Sequence, residues 1–228
     1  MLFFRRLVAV MTATLLFASV TNAQQPLLTF NFAGATGSQA NSPSTFNAVN
    51  VNPSVVSRGP GVTASAFADS ISANGWTTAT TVDANDYFTL TFQSSTITSL
   101  SSIVINANRN GLGPRLMEVR DSLSGFNTAT TTPIAVPNAS LITPLNFNLS
   151  GVTVLQNIPA NTLVELRIYA YDATQATNSS LAIENAGPIA GLVLNGTPVP
   201  EPATVGGLAA AGLFGFGWLR RRFRKTAA

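Results

Sequence analysis

From residue 87 to residue 93 the chain alternates without exception, with Phe88, Leu90 and Phe92 on one side and Thr89, Thr91 and Gln93 on the other. Successive side chains of an extended strand point to opposite faces, so this pattern specifies a strand with one apolar and one polar face. Residues 163–172 repeat it, with Val164, Leu166, Ile168 and Ala170 on one face and Glu165, Arg167, Tyr169 and Tyr171 on the other. No sustained 3.6-residue apolar repeat precedes residue 203, and short apolar runs are separated by Asn, Gly and Pro. Further strands are expected at residues 27–32, 64–70, 100–106, 116–121, 145–149, 181–184 and 189–194, about nine in all. Short strands that each carry one apolar face are satisfied by two antiparallel sheets packed face to face. The predicted fold is therefore all-β, an antiparallel β-sandwich of jelly-roll-like type, with an up-and-down barrel as the alternative strand order. Residues 35–61 and 129–144, rich in Asn, Ser, Thr and Pro, read as long loops.

The two ends have a different character. Arg5 and Arg6 precede an apolar run from Leu7 to Ala18, and the small residues Thr21 and Ala23 stand before Gln24. That is the layout of a secretory signal peptide, residues 1–23, cleaved between Ala23 and Gln24. At the other end Val199-Pro200-Glu201-Pro202 is followed by an uncharged run of 17 residues, 203–219, and then by Arg220, Arg221, Arg222, Phe223, Arg224 and Lys225. Seventeen residues are just enough for a helix to cross a bilayer. The basic cluster is retained on the cytoplasmic side and orients the preceding chain outward. The sequence therefore divides into a leader (1–23), a β-domain (24–198) and a tail (199–228), the tail consisting of a motif (199–202), a transmembrane helix (203–219) and a basic stop (220–225).

This tail, with its Pro200-Glu201-Pro202 motif, Gly- and Ala-rich span and terminal arginines, resembles that of the PEP-CTERM family of bacterial surface proteins. The resemblance implies recognition by exosortase, a membrane protease. It implies a transient single-span stay in the inner membrane, followed by release to the cell surface or an extracellular matrix. It also links such proteins to exopolysaccharide and biofilm. More locally, residues 115–126 resemble the strand and turn of extracellular jelly-roll domains of the discoidin type, which favours that topology.

Once the ends are set aside the charge balance reverses. The whole chain carries a formal +3 and a pI of about 10.0. Residues 24–199 hold five arginines against eight carboxylates, a net of −3. Phosphate affinity comes from clustered Lys and Arg, so a nucleic-acid partner is not expected.

The chain has no His and no Cys, and its one lysine is Lys225. That removes a Ser-His-Asp triad, a thiol nucleophile, a His-based metal site and lysine chemistry. A glycosidase requires only two opposed carboxylates, so a glycan-active enzyme stands as the third functional class. A non-catalytic surface or matrix protein stands first. A carbohydrate-binding module stands second, with Tyr169 and Tyr171 as a ring platform and Arg167 as donor. No cofactor is expected. Asp83, Asn85 and Asp86 are the best ligands for a structural calcium ion, although they lack EF-hand spacing. Glu118 and Arg120 share one face of their strand, as Glu165 and Arg167 share one face of theirs, so two ion pairs are expected between these strands if they are antiparallel neighbours. Gly111-Leu112-Gly113-Pro114 lacks a following Lys-Ser/Thr and reads as a turn.

Overall fold

A computed structural model describes residues 24–138 and 142–199. The expected leader and the expected span at 203–219 lie outside the described residues. Among the described residues no helix is long and apolar enough to cross a membrane.

The described residues form antiparallel sheets, and the helix among them is limited to 3-10 turns at Ser122–Ser124 and Thr153–Leu155. Its strands are β1 (Gln25–Phe30), β2 (Asn41–Pro43), β3 (Phe46–Asn47), β4 (Val55–Arg58), β5 (Thr63–Ala64), β6 (Ser70–Asn74) and β7 (Tyr87–Phe92). They continue with β8 (Thr98–Arg109), β9 (Pro114–Asp121), β10 (Ile134–Ala135), β11 (Thr143–Asn148), β12 (Val164–Ala173), β13 (Ser180–Glu184) and β14 (Leu192–Pro198). An eight-stranded sheet runs β3-β1-β14-β8-β13-β6-β5 with β11 also on β8, and a six-stranded sheet runs β10-β9-β12-β7-β4-β2. Neighbours such as β1 and β14 lie far apart in sequence, so the order is not that of an up-and-down barrel.

The long strand β8 organises the larger sheet. Ile105 pairs with both Leu145 of β11 and Leu192 of β14, and Ala107 pairs with both Thr143 of β11 and Ile183 of β13. A strand has two hydrogen-bonding edges, so β13 and β14 share the edge opposite β11 and follow one another along it. The chain leaves that edge only briefly after β13, where Ala186 and Ile189 bond to each other, and the Gly191 carbonyl already accepts from the Asn106 N–H of β8 at 2.8 Å.

Alternation was a sound guide to the core. Phe88, Leu90 and Phe92 of β7 and Val164, Leu166, Ile168 and Ala170 of β12 are buried. They meet Phe30, Ile103, Ile105, Leu192 and Leu194 from the other sheet in one apolar cluster. Fully burying each large side chain contributes about 1.5–3 kcal/mol. Trp76, just beyond β6, lies 5.4 Å from the ring of Phe88 in β7, which ties the two sheets together.

Several expectations need correction. No strand covers 64–70, because Asp69 adopts a left-handed φ of 56° and β6 starts only after it. The strand expected at 189–194 begins at Leu192, after the small excursion, and runs on to Pro198. The supposed loop 35–61 contains β2, β3 and β4, and the supposed loop 129–144 contains β10 and the start of β11. β2, β3, β4 and β10 have two to four residues each, too few to register as an alternating pattern.

One contact crosses between the layers without apolar packing. Arg58 of β4 reaches out of its own sheet, and its Nε donates to the Ser72 carbonyl of β6 at 2.8 Å. Its Nη1 donates to the Gln39 carbonyl at 2.6 Å and its Nη2 to the Gly37 carbonyl. Burial pushes the pKa of this guanidinium below its usual value.

Candidate functional site

The polar face of β12 lies on the outside of the six-stranded sheet. Its register with β9 places Arg167 opposite Arg120 and Tyr169 opposite Glu118. Like charges thus face each other across the strands, and the expected cross-strand ion pairs are replaced by pairs within each strand. Arg120 Nε lies 2.7 Å from Glu118 Oε1, and Arg167 Nε lies 2.7 Å from Glu165 Oε1. The stagger leaves room for aromatic rings between the cations. The Arg167 guanidinium sits 3.9 Å from the centroid of Phe126 and 4.5 Å from that of Tyr87. Tyr87 stands 5.4 Å from Tyr169, and Arg120 lies 5.3 Å over Tyr169. Each such cation–ring contact contributes about 0.5–1 kcal/mol near a surface.

The ladder closes the face that Tyr169 and Tyr171 were expected to leave open. Tyr169 is 2% exposed and Tyr171 is 4% exposed, so neither ring forms a solvent-facing platform for sugar. Tyr171 donates its hydroxyl to Glu118 Oε2 at 3.0 Å, while Arg167 is held between rings. The reason is positional: Phe126, at a left-handed φ of 59° after the turn that ends β9, and Tyr87 of β7 fold onto this surface. Neither residue was singled out from sequence, because their approach depends on strand order. Phe126 following Gly125 in a Ser-Gly turn was the available signal.

Burial first, and then the bond to Glu118, push the Tyr171 phenol up to about 12 from an ordinary 10.0. A raised folded-state pKa means that the native fold favours the protonated phenol. This contribution to stability is complete below about pH 10 and disappears as pH rises through about 12. Tyr171→Phe is expected to flatten the alkaline loss of stability in that window. It also costs about 1 kcal/mol at neutral pH, because Glu118 loses a donor. Thermal melts of both proteins from neutral to alkaline pH check this, and identical alkaline slopes would contradict it.

The Asp83, Asn85 and Asp86 segment forms the turn that leads into β7. Asp83 Oδ1 accepts from the Asn85 N–H at 2.9 Å, and Asp86 Oδ2 accepts from the Thr77 N–H at 2.8 Å. Both acids therefore carry backbone-capping duties. Burial raises the pKa of Asp86, the Thr77 N–H opposes the rise and nearby Asp83 adds to it. Among the described residues no group of three or more acidic side chains converges as a metal site would require. Gly111 to Pro114 is a turn as expected, closed by Gly113 N–H to the Asn110 carbonyl at 3.0 Å. A Cβ at Gly113 would collide with the Ser180 carbonyl, so a close backbone approach accounts for this glycine.

The last described residues lie at one end of the sandwich. Pro198 pairs with Thr98, and the Val199 N–H donates to the Ile97 carbonyl at 2.8 Å. Strand bonding therefore continues to the residue immediately before Pro200, which has no N–H to extend it. Gln25, at the start of β1, pairs with Gly196, so the first and last described segments are neighbours. Val199 belongs to the sheet as well as to the motif. Pro200, Glu201, Pro202 and the basic stop lie outside the described residues, as does Ala23 of the expected cleavage site, whereas Gln24 is inside them and donates to Ser102 Oγ at 2.6 Å.

A β-domain whose final strand leads directly into a Pro-Glu-Pro sequence, an apolar run and an arginine cluster defines an exported protein with a C-terminal sorting signal. That signal is the PEP-CTERM protein-sorting motif, whose family model matches residues 198–222. The match covers the tail and leaves the β-domain outside it. Such motifs are in general processed by exosortase and mark proteins sorted through the membrane to the cell surface. Neither the comparison with curated proteins nor that with solved structures found a match.

Proposed function

We propose that this chain is a non-catalytic structural protein of the cell surface or extracellular matrix, delivered there by trimming at both ends. Signal cleavage after Ala23 frees the N-terminus. The span at 203–219 then holds the chain in the inner membrane until exosortase acts at Pro200-Glu201-Pro202. The released product is the sandwich itself, read as jelly-roll in type, and its destination is the exopolysaccharide-rich matrix to which the family resemblance points. The observation that carries this reading is the placement of the motif. Pro200 directly follows Val199, the residue after β14 whose N–H is still bonded to the sheet, so cleavage there removes the tail and spares the sheet.

A passive role is supported by the chain's lack of His and Cys and by the uses to which its carboxylates are put. Glu118 and Glu165 serve arginines, and Asp121 accepts from Ser124 and Thr130. The reading requires no cofactor.

Replacing Pro200, Glu201 and Pro202 together by alanine is expected to leave the tail attached and the protein in the inner-membrane fraction. Intact mass and fractionation of the wild-type and altered chains decide the matter. Equal trimming of the two would defeat the proposal.

A further inference from the structure

The end of the sandwich from which the tail departs differs from the rest of the surface. It is formed by the link from β7 to β8, the turn after β9, the approach to β12 and the segment around residue 50. Val51 bridges Ser94, and the Ser95 N–H donates to the Asn50 carbonyl. Val164 at the start of β12 pairs with Phe92 at the end of β7, and nearby Leu166 pairs with Asp121 at the end of β9. The Thr98 N–H donates to the Ile158 carbonyl, which brings residues 150–163 beside the strand that holds Pro198.

Four large apolar side chains stand in the open at this end. Val49 is 85% exposed, Leu163 59%, Val154 45% and Leu123 40%. Segments 48–53, 93–98, 122–128 and 150–163 contain no charged residue. In a domain of net charge −3, four uncharged segments with apolar tips, beside which Asp121 is buried and Glu165 is paired with Arg167, are a local departure that water alone does not favour.

Position identifies what covers it. Val199 is bonded to the sheet, and four residues later, at Ala203, the apolar run begins. Four residues reach at most about 14 Å even when fully extended. The polar layer on one side of a bilayer is roughly 5–8 Å thick. A domain on so short a tether keeps this end against the headgroups. Because β1 begins beside the end of β14, the leader also departs from this end before cleavage. Anionic headgroups repel carboxylates, so the absence of charge from these four segments, with Asp121 buried and Glu165 paired with Arg167, removes the chief obstacle to contact.

We propose that this end is a lipid-docking surface, with Val154, Leu163, Val49 and Leu123 resting in the headgroup layer of the outer leaflet while the tail is still attached. Docking holds the Pro-Glu-Pro motif at the depth of a membrane-embedded protease and restricts the domain's rotation. The inference rests on the reading of residues 203–219 as a membrane span.

The cysteine-free chain makes a direct test possible. Single cysteines replace Val154, Leu163 or, for reference, Ile189. Ile189 is 61% exposed and lies next to the start of β14, where Leu192 pairs with Ile105. That point is roughly 24 Å along β8 from Thr98. Each full-length variant is labelled with a polarity-sensitive fluorophore and reconstituted, without protease, into vesicles of phosphatidylethanolamine and phosphatidylglycerol. Labels at positions 154 and 163 should be quenched several-fold more by headgroup-nitroxide lipid than the label at 189, and less by aqueous iodide. If they behave like the label at 189 in a protein that resists alkaline extraction, the span stands and the docking surface is overturned. Protection from iodide without lipid quenching means that a second copy covers the patch, which also overturns the proposal. Release of the protein by alkali overturns the span reading and the docking surface with it.

Discussion

Trp76→Ala is expected to be the most damaging single substitution in the core, lowering stability by about 3–5 kcal/mol. The indole is fully buried, its Nε1–H donates to the Ala73 carbonyl at 3.0 Å, and its ring packs on Phe88 of the opposite sheet. Its backbone N–H donates to Ser179 Oγ at 3.0 Å, a bond that alanine keeps and that holds the backbone in place. Alanine therefore leaves a cavity between the layers that neither sheet can fill by moving alone. For a domain of this size the loss corresponds to a fall of about 10 °C or more in thermal midpoint. Trp76→Phe keeps a ring against Phe88 and is expected to recover much of the loss. A melt of Trp76→Ala that matched the wild type would show that the inter-sheet contact contributes little.

Arg58→Ala is expected to cost about 2–3 kcal/mol, through three carbonyls that lose a charged donor. The more informative variant is Arg58→Lys. Arginine presents several N–H groups in a rigid fork, whereas lysine offers one compact charge. The carbonyls of Gly37, Gln39 and Ser72 lie in different directions around the guanidinium, so a lysine cannot serve all of them. Arg58→Lys should therefore melt much closer to Arg58→Ala than to the wild type in denaturant titrations. Full stability in the lysine variant would mean that charge alone, and not the fork, holds the two sheets at this edge.

Position 58 also shows where sequence reasoning stopped. Val56 and Arg58 occupy the inward-facing parity of β4, yet an arginine in a short, Ser-rich segment reads as a solvated side chain in a loop. Its partners are backbone carbonyls, which have no residue-type signature. Tyr169 and Tyr171 illustrate the same limit on the other face. Alternation placed them correctly opposite the core side of β12, but burial on that outer face depends on Phe126, Tyr87 and Arg120, which arrive from other strands. The ion pairs turned on a register difference of two residues, since placing Arg167 opposite Arg120 rather than Glu118 converts two expected cross-strand pairs into two within-strand pairs.

The sorting tail was legible because everything it requires is contiguous: a Pro-Glu-Pro motif, an uncharged run of sufficient length and a basic stop. The β character of the domain was legible for a related reason, since a two-residue period is a local property of strands. The sequence by itself thus determined the class of fold, the main apolar faces and the C-terminal address. Only the tertiary structure decided which strands are neighbours, which polar side chains are covered, and that uncharged segments distant in sequence meet at the end from which Val199 leaves. Those outcomes depend on strand order and register, which arise from packing the whole chain at once and leave no trace in any short stretch of residues.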